Sequence, residues 1–199
     1  MNVEAIPLTI AGPLRLSPER REDERGYVCE TYDAGRFAEA IGRDVEFLQD
    51  VETLSLRKGT LRGLHFQHPP FGQAKLVRVL RGAIRDVVVD MREGSPSFGQ
   101  HESVDLDAKS GEMLWIPEGF AHGFVTLRDN TLVSTKVSSG YAEQARGRIK
   151  WNDPLLHIDW GMDDPILSER DARAPGFADI VTPFGIPKDG SSKDSGAFR

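Results

Sequence analysis

A histidine and a lysine in two neighbouring apolar segments are the first residues of this sequence whose types could do chemistry together. His65 lies in the run Leu61–Gln67, and Lys75 lies in the run 74–80 after a turn-rich connection. Alternate side chains of a strand share a face, so His65 would point the same way as Gln67. The short connection predicts a hairpin, across which His65 and Lys75 would approach each other. An imidazole can take a proton from a carbon beside a carbonyl, and an ammonium can stabilise the resulting enolate.

A third candidate, a second histidine, ends a pattern of glycine and proline with regular spacing. Gly111, Pro117, Gly119 and His122 are separated by five, one and two residues. This spacing resembles the second motif of the cupins, a strand–turn–strand unit that aims a histidine into a small barrel. An isolated histidine–lysine pair is more often a surface feature beside a turn, but a second histidine of this kind favours a shared interior site.

The histidines do not form the pattern of a metal-binding cupin. Such cupins supply His-x-His and a glutamate, whereas His65 and His68 are three residues apart, and a strand would point them to opposite faces. Lys75 stands in the region of the glutamate, and a divalent cation repels a charged lysine. Three or four converging ligands are therefore lacking, and the sequence predicts a site with no metal and no cofactor.

Short strands are the elements that must hold these residues. Between residues 45 and 138, β-type runs alternate with Gly, Pro or Asn turns at intervals of roughly 8–12 residues, which predicts an antiparallel sandwich or barrel. Asp86 and Asp90, at the ends of one run, are expected to be solvated or to cap turns. We therefore predict an all-β fold, a cupin-type jelly roll with a few short peripheral helices.

Helix signals and the chain ends complete this organisation. One short helix is expected over 33–41, with Gly42 as its stop, and another near 168–174, with Ser168 as its N-cap. We expect a single domain over residues 1–186, followed by a polar, flexible tail over 187–199.

Composition narrows the classes of function. The 199 residues include 25 basic and 31 acidic ones, a net charge of −6, which argues against binding of nucleic acid. No apolar run approaches the ~20 residues that span a bilayer, and the first residues do not resemble a signal peptide. Cys29 is the single cysteine and cannot form an intrachain disulfide. We expect a cytoplasmic protein that contacts neither membranes nor nucleic acid.

Blocks of residues between 20 and 175 carry a specific resemblance. They read DERGYVCE (23–30), LRGLHFQ (61–67), QAKLV (73–77), DVVVDMR (86–92), GSPSFG (94–99), IPEGFAHGF (116–124), WNDP (151–154) and LSERD (167–171). In order and spacing these blocks closely resemble the dTDP-4-dehydrorhamnose 3,5-epimerase family, the sugar-nucleotide epimerases of deoxysugar biosynthesis.

The resemblance implies a jelly-roll homodimer without a metal, acting on a nucleotide sugar, in the first place a dTDP-sugar. It implies that His65 is the general base, Asp171 its carboxylate partner and Lys75 the lysine that stabilises the enolate. The substrate-binding positions that it implies are Gln49, Arg62 and His122, Arg170 near the diphosphate, and Arg25 and Glu30 on an N-terminal strand that helps bind the nucleotide of the neighbouring subunit.

The chain departs from the family at the position of the proton donor. Thr135 occupies the place of a tyrosine, and a threonine hydroxyl is far less acidic than a phenol of pKa about 10. Tyr141 matches a second, substrate-side tyrosine and is the candidate substitute acid, acting through water; otherwise the second protonation is lost. Val51 also stands where the family has asparagine, or Glu52 does if the register slips by one. The run 142–147 after Tyr141 is one residue short and lacks the proline and the acidic residue that are usual in the family.

Three functions are compatible with these residues. The first is an epimerase of a 4-keto-6-deoxy sugar nucleotide, acting at C3, at C5 or at both. The second is a ketoisomerase or tautomerase of the same fold, in which one base moves a proton between C3 and C4 and no tyrosine is needed. The third is a non-catalytic cupin that binds sugar nucleotides, which the missing tyrosine would explain.

Overall fold

The computed structural model describes residues 2–185, so the predicted tail over 187–199 lies outside the described residues. Its strands are β1 (Val3–Pro7), β2 (Leu14–Pro18), β3 (Arg20–Asp23), β4 (Gly26–Cys29), β5 (Gln49–Ser55), β6 (Leu61–Gln67), β7 (Lys75–Arg81), β8 (Ala83–Asp90), β9 (Arg92–Glu93), β10 (His101–Asp107), β11 (Met113–Ile116), β12 (Phe120–Thr126), β13 (Thr131–Val137), β14 (Arg146–Arg148) and β15 (Phe184–Gly185). Its helices are α1 (Ala34–Ile41) and α2 (Glu169–Ala172), with 3-10 turns at Glu143–Ala145 and Phe177–Asp179.

Two antiparallel sheets form a jelly roll. One sheet has the strand order β1-β2-β11-β7-β13-β5, and the other has the order β10-β8-β12-β6-β14. A hairpin, β3–β4, and a short parallel pair, β9–β15, complete the sheets of the described residues. The predicted all-β jelly roll with short helices is therefore confirmed.

The five-stranded sheet is covered on both faces, as its β8 strand illustrates. Val88 packs in the cluster between the two sheets, together with Val77 and Leu114 of the opposite sheet. Its neighbours Val87 and Val89 belong to a second cluster, which the C-terminal segment covers. Alternate residues of a strand point to opposite faces, so the unbroken apolar run of β8 reflects burial on both sides. This double packing holds the strands beneath the site in place.

The predicted hairpin between the strands of His65 and Lys75 is wrong. β6 pairs with β12 and β14, whereas β7 pairs with β11 and β13 of the other sheet. The connection between β6 and β7 therefore crosses from one sheet to the other. The two strands do not pair with each other, because each belongs to a different sheet and packs its apolar face against the opposite sheet. His65 and Lys75 reach the same cavity across the sandwich.

The two predicted α-helices form, with the predicted stop at Gly42 and the predicted N-cap at Ser168. The Asp33 carboxylate accepts a hydrogen bond from the backbone N–H of Arg36, and α1 ends at Gly42, whose φ of 72° is left-handed. Ser168 Oγ accepts a hydrogen bond from the backbone N–H of Asp171, which begins α2. The second cap thereby positions a candidate site residue in the first turn of its helix.

Strands β6 and β12 approach so closely at Gly63 that no side chain fits between them. Gly63 has a φ of +142°, and a Cβ placed there would lie 2.5 Å from the Cα of Gly123. This approach accompanies an irregularity in the β12 register just beyond the pair His122–His65. The two glycines therefore help to set the backbone that carries both histidines.

We expect Gly63→Ala to lower the free energy of unfolding by about 3 kcal/mol or more, because backbone must move away from backbone. The melting temperature, followed by circular dichroism, would then fall by roughly 10 °C. Gly26→Ala is the matched control, since Gly26 has a φ of +128° and a Cβ placed there would meet nothing within 4 Å. The control should cost about 1–2 kcal/mol, from backbone strain alone, and equal losses in both variants would contradict the close-approach explanation.

Candidate active site

A cavity of about 670 Å³ collects most of the predicted site residues. It lies between strands of both sheets and is closed on one side by α2. The predicted residues that line it are Gln49, Arg62, His65, Lys75, His122, Thr135, Tyr141, Arg170 and Asp171. Residues far apart in the sequence thus meet in one place, from β5 at one sheet edge to α2 near the end of the described chain.

Arg25 and Glu30 are the predicted site residues that do not line this cavity. Arg25 lies in the turn of the β3–β4 hairpin, and its guanidinium binds the Asp23 carboxylate. Glu30 follows β4, and its carboxylate contacts Arg36. Their predicted role concerns the nucleotide of a neighbouring subunit, so within a single chain it stays a prediction.

His65 and Asp171 form a close pair at the cavity wall. His65 Nε2 lies 2.6 Å from Asp171 Oδ1, the length of a short charge-assisted hydrogen bond. The Asp171 side chain is 7% exposed and that of His65 is 36% exposed, so the carboxylate lies behind the ring and the ring faces the cavity. A carboxylate in this position fixes the imidazole tautomer with its proton on Nε2.

The ionised form of Asp171 is stabilised where it lies. Burial acts to raise the pKa of this carboxyl, but the hydrogen bond and charge of His65, the Ser168 contact and the charge of Arg148 together hold the pKa below its usual value. The carboxylate therefore stays charged at neutral pH and can stabilise a protonated imidazole beside it.

Three other titratable groups, all buried, form a chain of contacts in space: Lys75 contacts His122, and His122 contacts Asp86. Lys75 Nζ lies 3.5 Å from His122 Nδ1, and His122 Nε2 lies 2.7 Å from Asp86 Oδ1. The ammonium can donate to Nδ1 only if the His122 ring carries its proton on Nε2, facing Asp86. The Asp86 oxygens have no well-aligned hydrogen-bond donor among the described residues. Electrostatic attraction between the Asp86 carboxylate and the nearby His122 and Lys75 must therefore offset the cost of burying this carboxylate.

The expectation that Asp86 is solvated or caps a turn is wrong. Asp86 is fully buried and pairs with His122, whereas Asp90, also buried, does accept a turn hydrogen bond from the N–H of Arg92. The alternation of side chains along β8 indicated that Asp86 is buried, because Asp86 shares a face with Ile84 and Val88, which pack in the core. A lone carboxylate on an interior face needs a buried partner.

Burial also determines the charge states of the two cationic groups. It lowers the pKa of Lys75 from 10.5 to about 8, with the charge of Asp86 opposing the decrease. Burial likewise lowers the pKa of His122, although Asp86 opposes this change, and the charges of Lys75 and His65 lower it further. At neutral pH, Lys75 is mainly a cation and His122 is neutral.

Arg148 is a cavity residue that the sequence reasoning missed. It pairs with His65 in the β14–β6 register, and its Nε lies 3.5 Å from the same Asp171 oxygen that His65 contacts. A short edge strand of the pattern Arg-Gly-Arg has no apolar alternation to reveal which face is buried, so the sequence held no clear signal for it.

Thr135 and Tyr141 both line the cavity, but in different settings. Thr135 is half-buried in the middle of β13, paired with Val77 of β7. Tyr141 is 59% exposed, and the guanidinium of Arg146 lies 5.3 Å from the centre of its ring. Thr135 therefore lies within the wall, and Tyr141 lies at the mouth.

Metal sites and membrane-spanning helices are two further features that the described chain does not show. Residues 2–185 contain no group of three or more His, Cys, Asp or Glu side chains placed to hold a metal ion. Over the same residues, no helix is long and apolar enough to cross a membrane.

The fold and this cavity together define a class of protein. The jelly roll superposes on solved epimerases, and its interior holds a carboxylate-bound histidine, a second histidine and a buried lysine. The profile of the dTDP-4-dehydrorhamnose 3,5-epimerase family matches residues 7–179. The chain belongs to this family, and it is an epimerase by class.

Individual relatives agree with the family. Over 183 residues the chain is 45% identical to the dTDP-4-dehydrorhamnose 3,5-epimerase of Sinorhizobium fredii, covering 91% of this chain and 93% of that one. The crystal structure of the Elizabethkingia anophelis enzyme of the same name superposes with a TM-score of 0.86 at 39% identity, covering 90% and 98% of the two chains. The dTDP-6-deoxy-D-glucose-3,5-epimerase of Legionella pneumophila, solved with dTDP-4-keto-L-rhamnose, has a TM-score of 0.86 at 38% identity, covering 90% and 95%.

Proposed function

We propose that this protein epimerises a dTDP-linked 4-keto-6-deoxy sugar, with His65 as the base and Lys75 as the cation that stabilises the enolate. The observation that carries the proposal is the short contact between His65 Nε2 and Asp171 Oδ1, 2.6 Å, in the cavity that the buried Lys75 also lines. The substrate class follows from relatives named for dTDP-4-dehydrorhamnose and from one solved with a dTDP-4-keto sugar.

Proton removal is assigned to the free nitrogen of His65. Nε2 is engaged with Asp171, whereas Nδ1 makes no hydrogen bond to the residues that the structure describes. The lone pair of Nδ1 takes the proton from the carbon beside the keto group. The Asp171 carboxylate, held ionised, stabilises the imidazolium that forms.

The negative charge that develops on the keto oxygen needs a cation in a site of low dielectric. Lys75 is buried and retains its charge at neutral pH, because its pKa is lowered only to about 8. An ammonium that is already in place requires no reorganisation as the enolate forms. His122 and Asp86 position the ammonium from behind.

The alkaline side of the pH profile should report Lys75. Its ammonium is present below about pH 8 and is lost as the pH rises through that value, so kcat should fall there. Asp86→Asn removes a charge that raises the pKa of Lys75, and the alkaline limb should therefore move to lower pH. Steady-state kcat, measured from about two pH units below to about two above the pKa of Lys75, reports the alkaline fall in the unmodified protein and its displacement in Asp86→Asn. An unchanged limb in Asp86→Asn would contradict the assignment to Lys75.

On the opposite face of the sugar, we assign the returning proton to Tyr141, acting through water. Thr135 occupies the wall but its hydroxyl is a poor acid for an enolate. Tyr141→Phe should lower kcat by about 10²-fold, because a positioned acid contributes on this scale. The reference variant is Tyr32→Phe, whose ring packs against Phe37 and Phe47 and does not line the cavity, and it should leave kcat unchanged. Full activity of Tyr141→Phe would remove Tyr141 from the mechanism.

The proposal includes a homodimer in which Arg25 and Glu30 serve the nucleotide site of the neighbouring subunit. It is supported by the β3–β4 hairpin, which exposes the adjacent apolar side chains Tyr27 and Val28, 51% and 63% of their surfaces, beside Arg25. Light scattering should give about twice the 22.1 kDa of one chain. A monomer that turns over at the full rate would contradict this part of the proposal.

The absence of the family's tyrosine also favours a second candidate, the one-base ketoisomerase, which needs no acid at Thr135. NMR analysis of the product from dTDP-4-keto-6-deoxyglucose separates the two functions. Inversion at C3 or C5 with the ketone still at C4 supports the epimerase. A ketone moved to C3 identifies the ketoisomerase, and unchanged substrate that nevertheless binds identifies a non-catalytic binding protein.

A further inference from the structure

A second cavity, which we call the arginine cavity, lies beside β14, the edge strand of the five-stranded sheet. Its volume is about 480 Å³. The basic residues that line it are His68, Arg146, Arg148, Arg170 and Arg173; the other side chains that line it are apolar and include Phe66, Pro175 and Ile180. No carboxylate of the described chain is part of this lining.

The arginines of this cavity lack the partners that arginines usually have. Within residues 2–185, Arg146, Arg170 and Arg173 form no ion pair with any carboxylate, and Arg148 only shares an Asp171 oxygen with His65, at 3.5 Å. Four like charges around one cavity repel each other. In a chain whose net charge is −6, acidic residues are abundant, yet within residues 2–185 the cluster has only the Arg148–Asp171 contact.

We propose that the arginine cavity binds a phosphoryl dianion, either inorganic phosphate or a phosphomonoester, at a site separate from the sugar-nucleotide site. Guanidinium groups bind phosphate oxygens in a bidentate geometry, and several of them around one anion give both charge and direction. The apolar side chains of Phe66 and Ile180 form one wall of the cavity, beside the guanidinium groups.

The two cavities are distinct but share three residues. Arg146, Arg148 and Arg170 line both cavities, whereas Arg173 and His68 line the arginine cavity alone. A diphosphate in the larger cavity and a phosphate in the arginine cavity draw on the same cations and repel each other. Each ligand therefore weakens the binding of the other without excluding it, and the coupling is equal in both directions.

Calorimetric titration of the full-length protein with inorganic phosphate, at constant ionic strength, tests the site. Arg173→Gln should weaken phosphate binding by about tenfold or more, since it removes one charged donor from the anion. The matched control is Arg57→Gln, because Arg57 is also an exposed arginine but lines neither cavity. His68→Gln is the second variant, in case Arg173→Gln does not fold, and it should also weaken binding. Glucose 1-phosphate in place of phosphate shows which source of the dianion binds more tightly.

A second titration, in saturating dTDP, distinguishes two sites from one. The inference predicts that dTDP weakens phosphate binding by about fivefold but leaves it measurable. It is overturned if dTDP abolishes phosphate binding and Arg173→Gln has no effect, since the phosphate then binds in the larger cavity. Equal heats from chloride at the same ionic strength mean an adventitious ion only and also overturn it. Since no turnover is measured, absence of epimerase activity would overturn the proposed function and not this inference.

Discussion

His65→Asn is expected to lower kcat by about 10³- to 10⁴-fold while dTDP still binds within a few-fold of its normal affinity. Asparagine is smaller than histidine and polar, and it has no basic nitrogen. The cavity and its charges therefore persist, and only the group that takes the proton is removed. Turnover of dTDP-4-keto-6-deoxyglucose and calorimetric titration with dTDP measure the two quantities separately.

The control for this variant is His101→Asn. His101 is a half-buried histidine on β10 that lines neither the catalytic cavity nor the arginine cavity. We expect its kcat to equal that of the unmodified protein. A His65→Asn protein that is folded, binds dTDP and retains more than about a tenth of the normal kcat would show that another base acts.

Lys75→Met is the variant with the second-largest expected effect. Methionine has a similar length and packs well in an apolar setting, so the cavity keeps its shape while the ammonium is lost. Since the cation interacts with charge that develops only in the transition state, the loss should appear in kcat, by about 10²- to 10³-fold, with little change in KM.

Lys136→Met provides the comparison for Lys75→Met. Lys136 lies on the neighbouring strand β13, pairs with Asp50 at 2.9 Å and does not line the cavity. It should leave kcat unchanged. If Lys75→Met instead raises KM and spares kcat, the lysine binds the ground state and does not stabilise an enolate.

The buried groups behind Lys75 suggest why such variants need not be unstable. Burial lowers the pKa of Lys75 from 10.5 to about 8. The charged lysine is therefore less stable in the folded protein than in water, which lowers the free energy of unfolding. Because this pKa lies below that of an unfolded lysine, the penalty is fully present below about pH 8 and decreases as the pH rises towards 10.5. A penalty of this kind is expected at functional sites, where stability is traded for a preorganised charge.

Much of the fold was predictable because it depends on local chemistry. Turn residues at regular intervals indicated an antiparallel sandwich, and Gly42 and Ser168 marked a helix end and a helix start that the structure confirms. The pairing of β6 and β7 was not predictable from the turn between them. Which sheet a strand joins depends on what its apolar face packs against, and that is a property of the whole core.

The site was predictable to a similar extent. Residue types, spacing and family resemblance identified most of the side chains that line the cavity, including Lys75 and Asp171, which lie far apart in the sequence. Asp86 was misjudged because an aspartate at a strand end usually faces water, and only its interior alternation argued otherwise. Arg148 and the arginine cavity depend on the edge of β14, where three residues carry no periodic signal.

The central claim is that His65 and Lys75 act together on the acidic carbon beside a ketone. The most direct measurement is incorporation of solvent deuterium into dTDP-4-keto-6-deoxyglucose, followed by NMR in D₂O. We expect deuterium at C3, at C5 or at both with the unmodified protein, and none above background with His65→Asn. A folded protein that binds the nucleotide sugar, yet exchanges no proton at either carbon, would contradict it.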